Sequence, residues 1–125
     1  MQIVSWSCKG LGNPIKAVAV KYLLKMVSSE ILLLQETKIE EEALLLLSKS
    51  KWKLTAEKDV NTRGTYGGLA TLWHDENFQL KRWIVTQHWI FTDLFHISSN
   101  TPLALFNLYV HVNHIKKKIL LENVI

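Results

Sequence analysis

The stretch that most constrains the fold is residues 31–38, which read ILLLQETK. An unbroken apolar run is typical of a strand buried on both faces, because helices that cover a sheet leave no face for polar alternation. Such a strand lies inside the sheet, and its carboxyl end opens on the edge where open α/β sheets bind their ligands. Glu36 follows the apolar run directly, so we expect it at that edge.

A strand and a helix precede this stretch. Residues 2–7 alternate weakly and carry β-branched and aromatic side chains, which predicts a first strand. The Asn-Pro pair at 13–14 provides a helix cap and a first helical residue. One apolar stripe at helical spacing is predicted to pack on the sheet: Ile15, Val18, Ala19, Tyr22, Leu23 and Met26. A crossover helix makes residues 3–7 and 31–35 parallel neighbours, which brings Ser7 close to Glu36.

The chain after residue 40 is predicted to be mostly β. Acidic residues at 40–42 precede an apolar segment at 43–47, as the positive end of a short helix prefers. Alternation that starts at Trp52 predicts a half-buried strand. Further strands are predicted at 69–73, 78–85, 89–97 and 103–110, with a turn at 100–102.

Length and composition limit the class of protein. The chain has 125 residues, 48% of them hydrophobic and 21% charged, which is typical of one globular domain. A single cysteine, Cys8, excludes an internal disulfide and suits an intracellular compartment, nuclear or cytoplasmic. No apolar stretch reaches the roughly 18 residues of a membrane span. The net charge of +4 fits either a nucleic-acid-binding surface or an ordinary solvated basic one.

Two residues at predicted strand ends are candidates for chemistry. Glu36 provides the oxygen ligand that Mg²⁺ prefers, although by position alone an ordinary exposed glutamate is the better interpretation. Tyr109 lies near the end of the strand predicted at 103–110, where a core ring with its hydroxyl in water is the default. Residue type and position therefore leave both roles open.

Four segments, in order, carry a family resemblance: IVSWSCKGLGNP, ILLLQETK, GGLATLW and FNLYVHVN. They resemble the endonuclease domain of plant LINE-type (non-LTR) retrotransposons, in the endonuclease/exonuclease/phosphatase family that includes DNase I and the apurinic/apyrimidinic endonucleases. The resemblance covers nearly the whole chain but only the N-terminal half of the family's domain. It implies that residues 1–125 form part of a four-layer α/β sandwich, with a mixed β-sheet and flanking helices, truncated at the C-terminus.

The resemblance also implies an activity, the Mg²⁺-dependent nicking of DNA, with Mn²⁺ as an alternative ion. Glu36 matches the family's metal-binding glutamate, and Tyr109 resembles its active-site tyrosine, whose hydroxyl contacts the phosphate. Ser7 stands where the family has a catalytic asparagine, and His111 stands where it usually has a proline. A serine has a shorter reach and makes one hydrogen bond fewer than an asparagine.

Several catalytic parts of the family have no counterpart before Ile125. These are a Gly-Asp-x-Asn segment, a later aspartate and a final histidine, so we expect the chain alone to be inactive. The alternative is a non-catalytic module that binds nucleic acid or another partner through its basic surface. Half of a two-sheet sandwich is also expected to expose a sheet face, which promotes association.

Overall fold

Strands and helices alternate in the first half of the chain, and strands alone follow. The computed structural model describes residues 2–60 and 68–108. The first half contains β1 (Ile3–Ser7), α1 (Pro14–Met26), β2 (Ile31–Gln35), α2 (Glu41–Leu47) and a π-helical turn (Ser48–Trp52). The later strands are β3 (Ala56–Val60), β4 (Leu69–Trp73), β5 (Phe78–Val85), β6 (Trp89–His96) and β7 (Thr101–Leu108). Neither described helix has the length and hydropathy needed to cross a membrane.

The strands form two sheets. The first has four strands in the order β1-β2-β4-β3, and the second is an antiparallel sheet of β5, β6 and β7. β1 runs parallel to β2 with Ser7 opposite Gln35, and β4 pairs antiparallel with β2 and β3. The predicted parallel pairing of residues 3–7 with 31–35 is confirmed. β2 is an inner strand whose carboxyl end lies beside that of β1.

Alternate side chains of β2 enter two separate cores. Leu32 and Leu34 pack in the core beneath the helices. Ile31 and Leu33 pack against the second sheet, together with Trp73, Phe78, Leu94 and Leu105. These contacts explain the unbroken apolar run, because each face of β2 is covered. The described chain therefore has three layers, which are the helices, the first sheet and the second sheet.

Helix α1 begins as predicted but turns a different face to the sheet. Asn13 caps it, and its side-chain oxygen accepts a hydrogen bond from the backbone N–H of Ile15 at 2.9 Å. The side chains that the helix buries are Ala17, Val20 and Leu24. The predicted stripe is wrong, since Tyr22 is 63% exposed and Met26 is 79% exposed. Most residues of the helix are apolar, so its periodicity does not single out the face that carries Ala17, Val20 and Leu24.

The strand predicted from residue 52 begins only at Ala56. Trp52 instead ends the π-helical turn, and its indole N–H donates to the carbonyl of Ala17 at 3.0 Å. Lys53 follows in the left-handed conformation, with φ of 58°, which interrupts any extended run. The alternation predicted a strand that starts too early, because Trp52 is buried although it belongs to the turn and not to a strand. The turn predicted at 100–102 likewise lies at 97–100.

The outer face of the second sheet is apolar and exposed. Ile84, Phe91 and Phe106 are opposite one another on β5, β6 and β7. Ile84 is 54% exposed and Phe106 is 45% exposed. The Phe106 ring centroid lies 4.9 Å from that of Phe91 and 6.1 Å from that of Trp89. The exposed sheet face expected of half a sandwich is therefore the outer face of the second sheet. The inner faces of the first and second sheets cover each other.

Removing apolar side chains from this outer face is expected to reduce self-association. For the double variant Ile84→Thr/Phe106→Thr we expect a dissociation constant at least about tenfold higher, since about 1.4 kcal/mol of lost apolar burial has that effect. Sedimentation velocity across a concentration series measures this. The control is Tyr22→Gln/Met26→Gln on α1, which should associate like the wild type. A monomeric wild type would contradict the prediction.

Candidate functional site

Ser7 and Glu36 meet at the carboxyl edge of the first sheet. Ser7 is the last residue of β1, and Glu36 is the first residue after β2. The Ser7 hydroxyl donates a hydrogen bond to Glu36 Oε2 at 3.1 Å. Parallel pairing predicts this approach, because it places both strand ends at one edge. The hydroxyl fixes one carboxylate oxygen, so the pair presents oriented oxygen atoms at the edge.

The backbone beyond β1 and β2 remains paired. Three hydrogen bonds of 2.7–2.8 Å continue the contact past the strands: Cys8 N to Gln35 O, Gly10 N to Glu36 O, and Leu11 N to Thr37 O. Lys16, from α1, donates from Nζ to the carbonyl oxygens of Cys8 at 2.8 Å and Lys9 at 3.1 Å. The two loops therefore form one supported unit, which holds Glu36 in place through its own carbonyl group.

This edge also contains unusual backbone conformations. Glu36, Lys9 and Lys38 are in the left-handed region, with φ of 55°, 52° and 51°. For residues other than glycine this conformation costs of order 1 kcal/mol or more, and such residues concentrate at binding and catalytic sites. Gly10, at φ of 97°, adopts a conformation that suits glycine. The cost at Glu36 is consistent with a functional reason for aiming its carboxylate.

A buried asparagine of the second sheet supports the same edge from below. Asn107, on β7, is only 1% exposed. Its Nδ2 donates to the carbonyl oxygens of Leu34 at 3.1 Å and Ala70 at 2.9 Å. Its Oδ1 accepts a hydrogen bond of 2.8 Å from Gln35 Nε2, next to Glu36 in the chain. Asn107 therefore links β7 to β2 and β4 at the end of the sheet that carries Ser7 and Glu36.

Sequence reasoning missed Asn107, although a signal exists. Leu103, Leu105 and Asn107 alternate along β7 on one face of the strand. Leu105 enters the core between the sheets, so the same period places Asn107 inside as well. A buried amide needs hydrogen-bond partners, and a strand with an inward asparagine therefore predicts a polar contact across the core.

Cys8 lies beside the Ser7–Glu36 pair but does not add a nucleophile. The thiol is buried. Burial is the main cause that raises the pKa of Cys8 to about 12, and nearby Glu36 adds to the rise while Lys16 opposes it. The thiol stays protonated at neutral pH, and a thiol is a far weaker nucleophile than a thiolate.

A second group of carboxylates involves β3, which β4 separates from β2 in the first sheet. Oxygen atoms of Glu41, Glu57 and Asp59 all lie within 4.8 Å of one another. Burial, followed by the charge of Asp59, raises the pKa of Glu57 to about 7. Burial and Glu41 also raise the pKa of Asp59. No sequence motif indicates this cluster, because α2 and β3 bring its members together only in the folded chain.

The oxygen chemistry of the edge fits a hard divalent cation. The Glu36 carboxylate is an oxygen ligand of the kind that Mg²⁺ and Mn²⁺ bind, and the Ser7 hydroxyl orients it. Tyr109, the other predicted site residue, lies outside the described residues. It follows β7 directly, two positions after Asn107.

Comparisons with known proteins identify the fold. No family model and no curated protein sequence matches the chain. A humanised D. rerio TDP2 with 14 mutations superposes with a TM-score of 0.66 at 14% identity, covering 93% of this chain and 52% of that one. AP endonuclease LMAP from Leishmania major gives 0.59 at 17% identity, covering 94% and 43%. The Xenopus laevis APE2 catalytic domain gives 0.56 at 17% identity, covering 94% and 47%.

The chain spans about half the length of these structures. At such identities the likeness describes the backbone, and no residue's role follows from it. The three-layer arrangement of the described residues belongs to the same architecture. The chain has the α/β sandwich fold of the DNase I-like proteins and spans part of it.

Proposed function

We propose that this chain is the N-terminal part of a divalent-metal-dependent phosphodiesterase that nicks DNA, of the LINE-type retrotransposon branch. The observation that carries the proposal is the hydrogen bond of 3.1 Å between Ser7 and Glu36 at the carboxyl edge of the parallel strands. The DNase I-like fold supports it, as do the names of two matching structures, an AP endonuclease and the APE2 catalytic domain.

In this proposal Glu36 is the metal ligand and Ser7 positions it. Bound Mg²⁺ would polarise the phosphate and stabilise the negative charge that develops on it. The Ser7 hydroxyl holds Glu36 Oε2 and so limits rotation of the carboxylate. The left-handed backbone at Glu36 and the paired loops hold the side chain at the edge. Tyr109 comes directly after β7 in the sequence, and in this proposal its hydroxyl would contact the same phosphate.

The proposal further holds that the 125-residue chain lacks nuclease activity by itself. A magnesium site formed by one or two carboxylates with water and phosphate is sufficient for binding. Hydrolysis also needs groups that activate water and protonate the leaving oxygen, each worth roughly 10²- to 10⁴-fold in rate. The family motifs that provide those groups lie beyond the segments that this chain matches, so the chain is a partial domain of the enzyme.

Mutation of Glu36 tests the metal site. We expect Glu36→Gln to remove one Mn²⁺ site from a titration followed by electron paramagnetic resonance, because a neutral amide is a much poorer ligand. Any ion held by the carboxylates of Glu41, Glu57 and Asp59 would be unaffected. Ser7→Ala should weaken the binding by roughly tenfold, as is typical when a hydrogen bond to a ligand is lost. The matched control is Glu42→Gln, an exposed glutamate of α2 with the same change of charge. Equal binding by Glu36→Gln and the control would overturn the assignment.

A plasmid-nicking assay tests the second part of the proposal. With Mg²⁺ present, the wild-type chain is expected to leave supercoiled plasmid intact. Nicking by the wild type that Glu36→Gln abolishes would show that the chain is active alone. Such a result would contradict the claim of inactivity while it supports the role of Glu36.

A further inference from the structure

A cleft lined by four lysines lies between α1 and the π-helical turn. Its volume is about 330 Å³. Lys21 and Lys25 line it from α1, whereas Lys51 and Lys53 line it from the turn and the residue that follows. No carboxylate is among the described residues that line it. We infer that this cleft binds the phosphate backbone of nucleic acid, as a second contact separate from the Ser7–Glu36 edge.

The two walls of the cleft are fixed relative to each other. Trp52, at its base, is buried, and its indole N–H donates to the carbonyl of Ala17 on α1 at 3.0 Å. Leu24 is also buried beneath the lysines and belongs to the same core cluster as Trp52. The backbone positions of the four lysines are therefore set before any ligand arrives, which lowers the cost of ordering them on binding.

Charge favours a polyanion as the occupant. Lys21 and Lys25 are one helical turn apart, and like charges at this spacing repel each other by a few tenths of a kcal/mol. Lys51 and Lys53 add two more positive charges to the same cleft. The carbonyl groups at the end of α1 carry only about half of a negative charge, which offsets little of this. An anionic backbone with several phosphates neutralises all four lysines at once.

The position of the cleft separates it from the candidate metal site. Ser29, which lines the cleft, donates a hydrogen bond to the carbonyl of Gln2 and so lies at the amino edge of the first sheet. Ser7 and Glu36 lie at the carboxyl edge, across the length of β2. A strand of five residues spans roughly 17 Å, so the two places would contact different stretches of a nucleic acid.

We assign duplex DNA as the ligand, and this choice rests on the proposed function. The inference that the cleft binds phosphate is independent of the proposed function. Each phosphate contact that a lysine provides contributes about 0.9 to the slope of log affinity against log salt. The double variant Lys21→Gln/Lys51→Gln should therefore lower that slope by about two and weaken binding regardless of DNA sequence. Fluorescence anisotropy with a labelled duplex, between low and moderate salt, measures both.

The matched control is Lys49→Gln/Lys81→Gln, which removes the same charge from exposed lysines outside the cleft. Equal slopes for the two double variants would overturn the cleft as a binding site. Tighter binding of an RNA duplex through Lys21 and Lys51 would overturn the assignment of DNA. Glu36→Gln should retain the full slope. If this variant still binds Mn²⁺ as the wild type does, the proposed function is contradicted and this inference still stands.

Discussion

Replacement of Asn107 by leucine is expected to lower the free energy of unfolding by about 3–5 kcal/mol, because several buried polar groups lose their partner at once. The carbonyl oxygens of Leu34 and Ala70 lose a donor, and Gln35 Nε2 loses its acceptor of 2.8 Å. Leucine has the same branched arrangement of four side-chain heavy atoms as asparagine and is larger, so the substitution leaves unpaired polar groups and no cavity. Domains are stable by only about 5–15 kcal/mol in total, so the effect is severe.

Urea unfolding followed by circular dichroism measures this difference. Thr92→Val provides the matched control, since Thr92 is fully buried in the same sheet and its hydroxyl has no hydrogen-bond partner within the described parts of the chain. Removing an unpaired hydroxyl is expected to be neutral or slightly stabilising. If Asn107→Leu unfolds at the same urea concentration as Thr92→Val, the hydrogen bonds of Asn107 do not link the sheets in solution.

The arrangement of the Ser7–Glu36 edge could be predicted because it depends on local sequence and a strong topological rule. An apolar run identifies β2, an Asn-Pro pair starts α1, and a crossover helix makes the flanking strands parallel. Those three steps suffice to bring Ser7 and Glu36 together, whatever the rest of the chain does. The strands at 69–73 and 78–85 were also predicted with their observed bounds, since each has a clear turn beside it.

Features that depend on contacts between distant segments could not be predicted. The periodicity of α1 selected the wrong face, because the choice depends on how closely Ala17 and Val20 approach the first sheet. Trp52 has the spacing of a strand residue, yet it is buried against α1, where its indole N–H donates to the carbonyl of Ala17. The acidic cluster and the lysine cleft likewise combine segments that are separate in sequence, so neither has a continuous motif.

The acidic cluster is expected to make the stability of the chain depend on pH. Burial, followed by Asp59, raises the pKa of Glu57 from 4.5 to about 7 in the folded chain. The folded chain therefore binds more protons than the unfolded chain between these values, and stability falls as pH rises through them. The stabilisation is fully present below pH 4.5 and is lost above about pH 7. Because Glu57 is only half-buried, we expect a total loss of about 1–2 kcal/mol after solvent screening.

Glu57→Gln is expected to remove most of this dependence. The amide has no charge at any pH, and its NH₂ group is a hydrogen-bond donor, as the O–H of a protonated carboxyl group is. The variant should therefore match the wild type near pH 4.5 and exceed its stability by about 1–2 kcal/mol at pH 8. Urea unfolding at both pH values, with a chelator present to remove divalent cations, measures the difference in stability. The control is Glu42→Gln on the exposed side of α2. If this control gains as much stability at pH 8 as Glu57→Gln does, general charge reduction sets the pH dependence and the buried cluster does not.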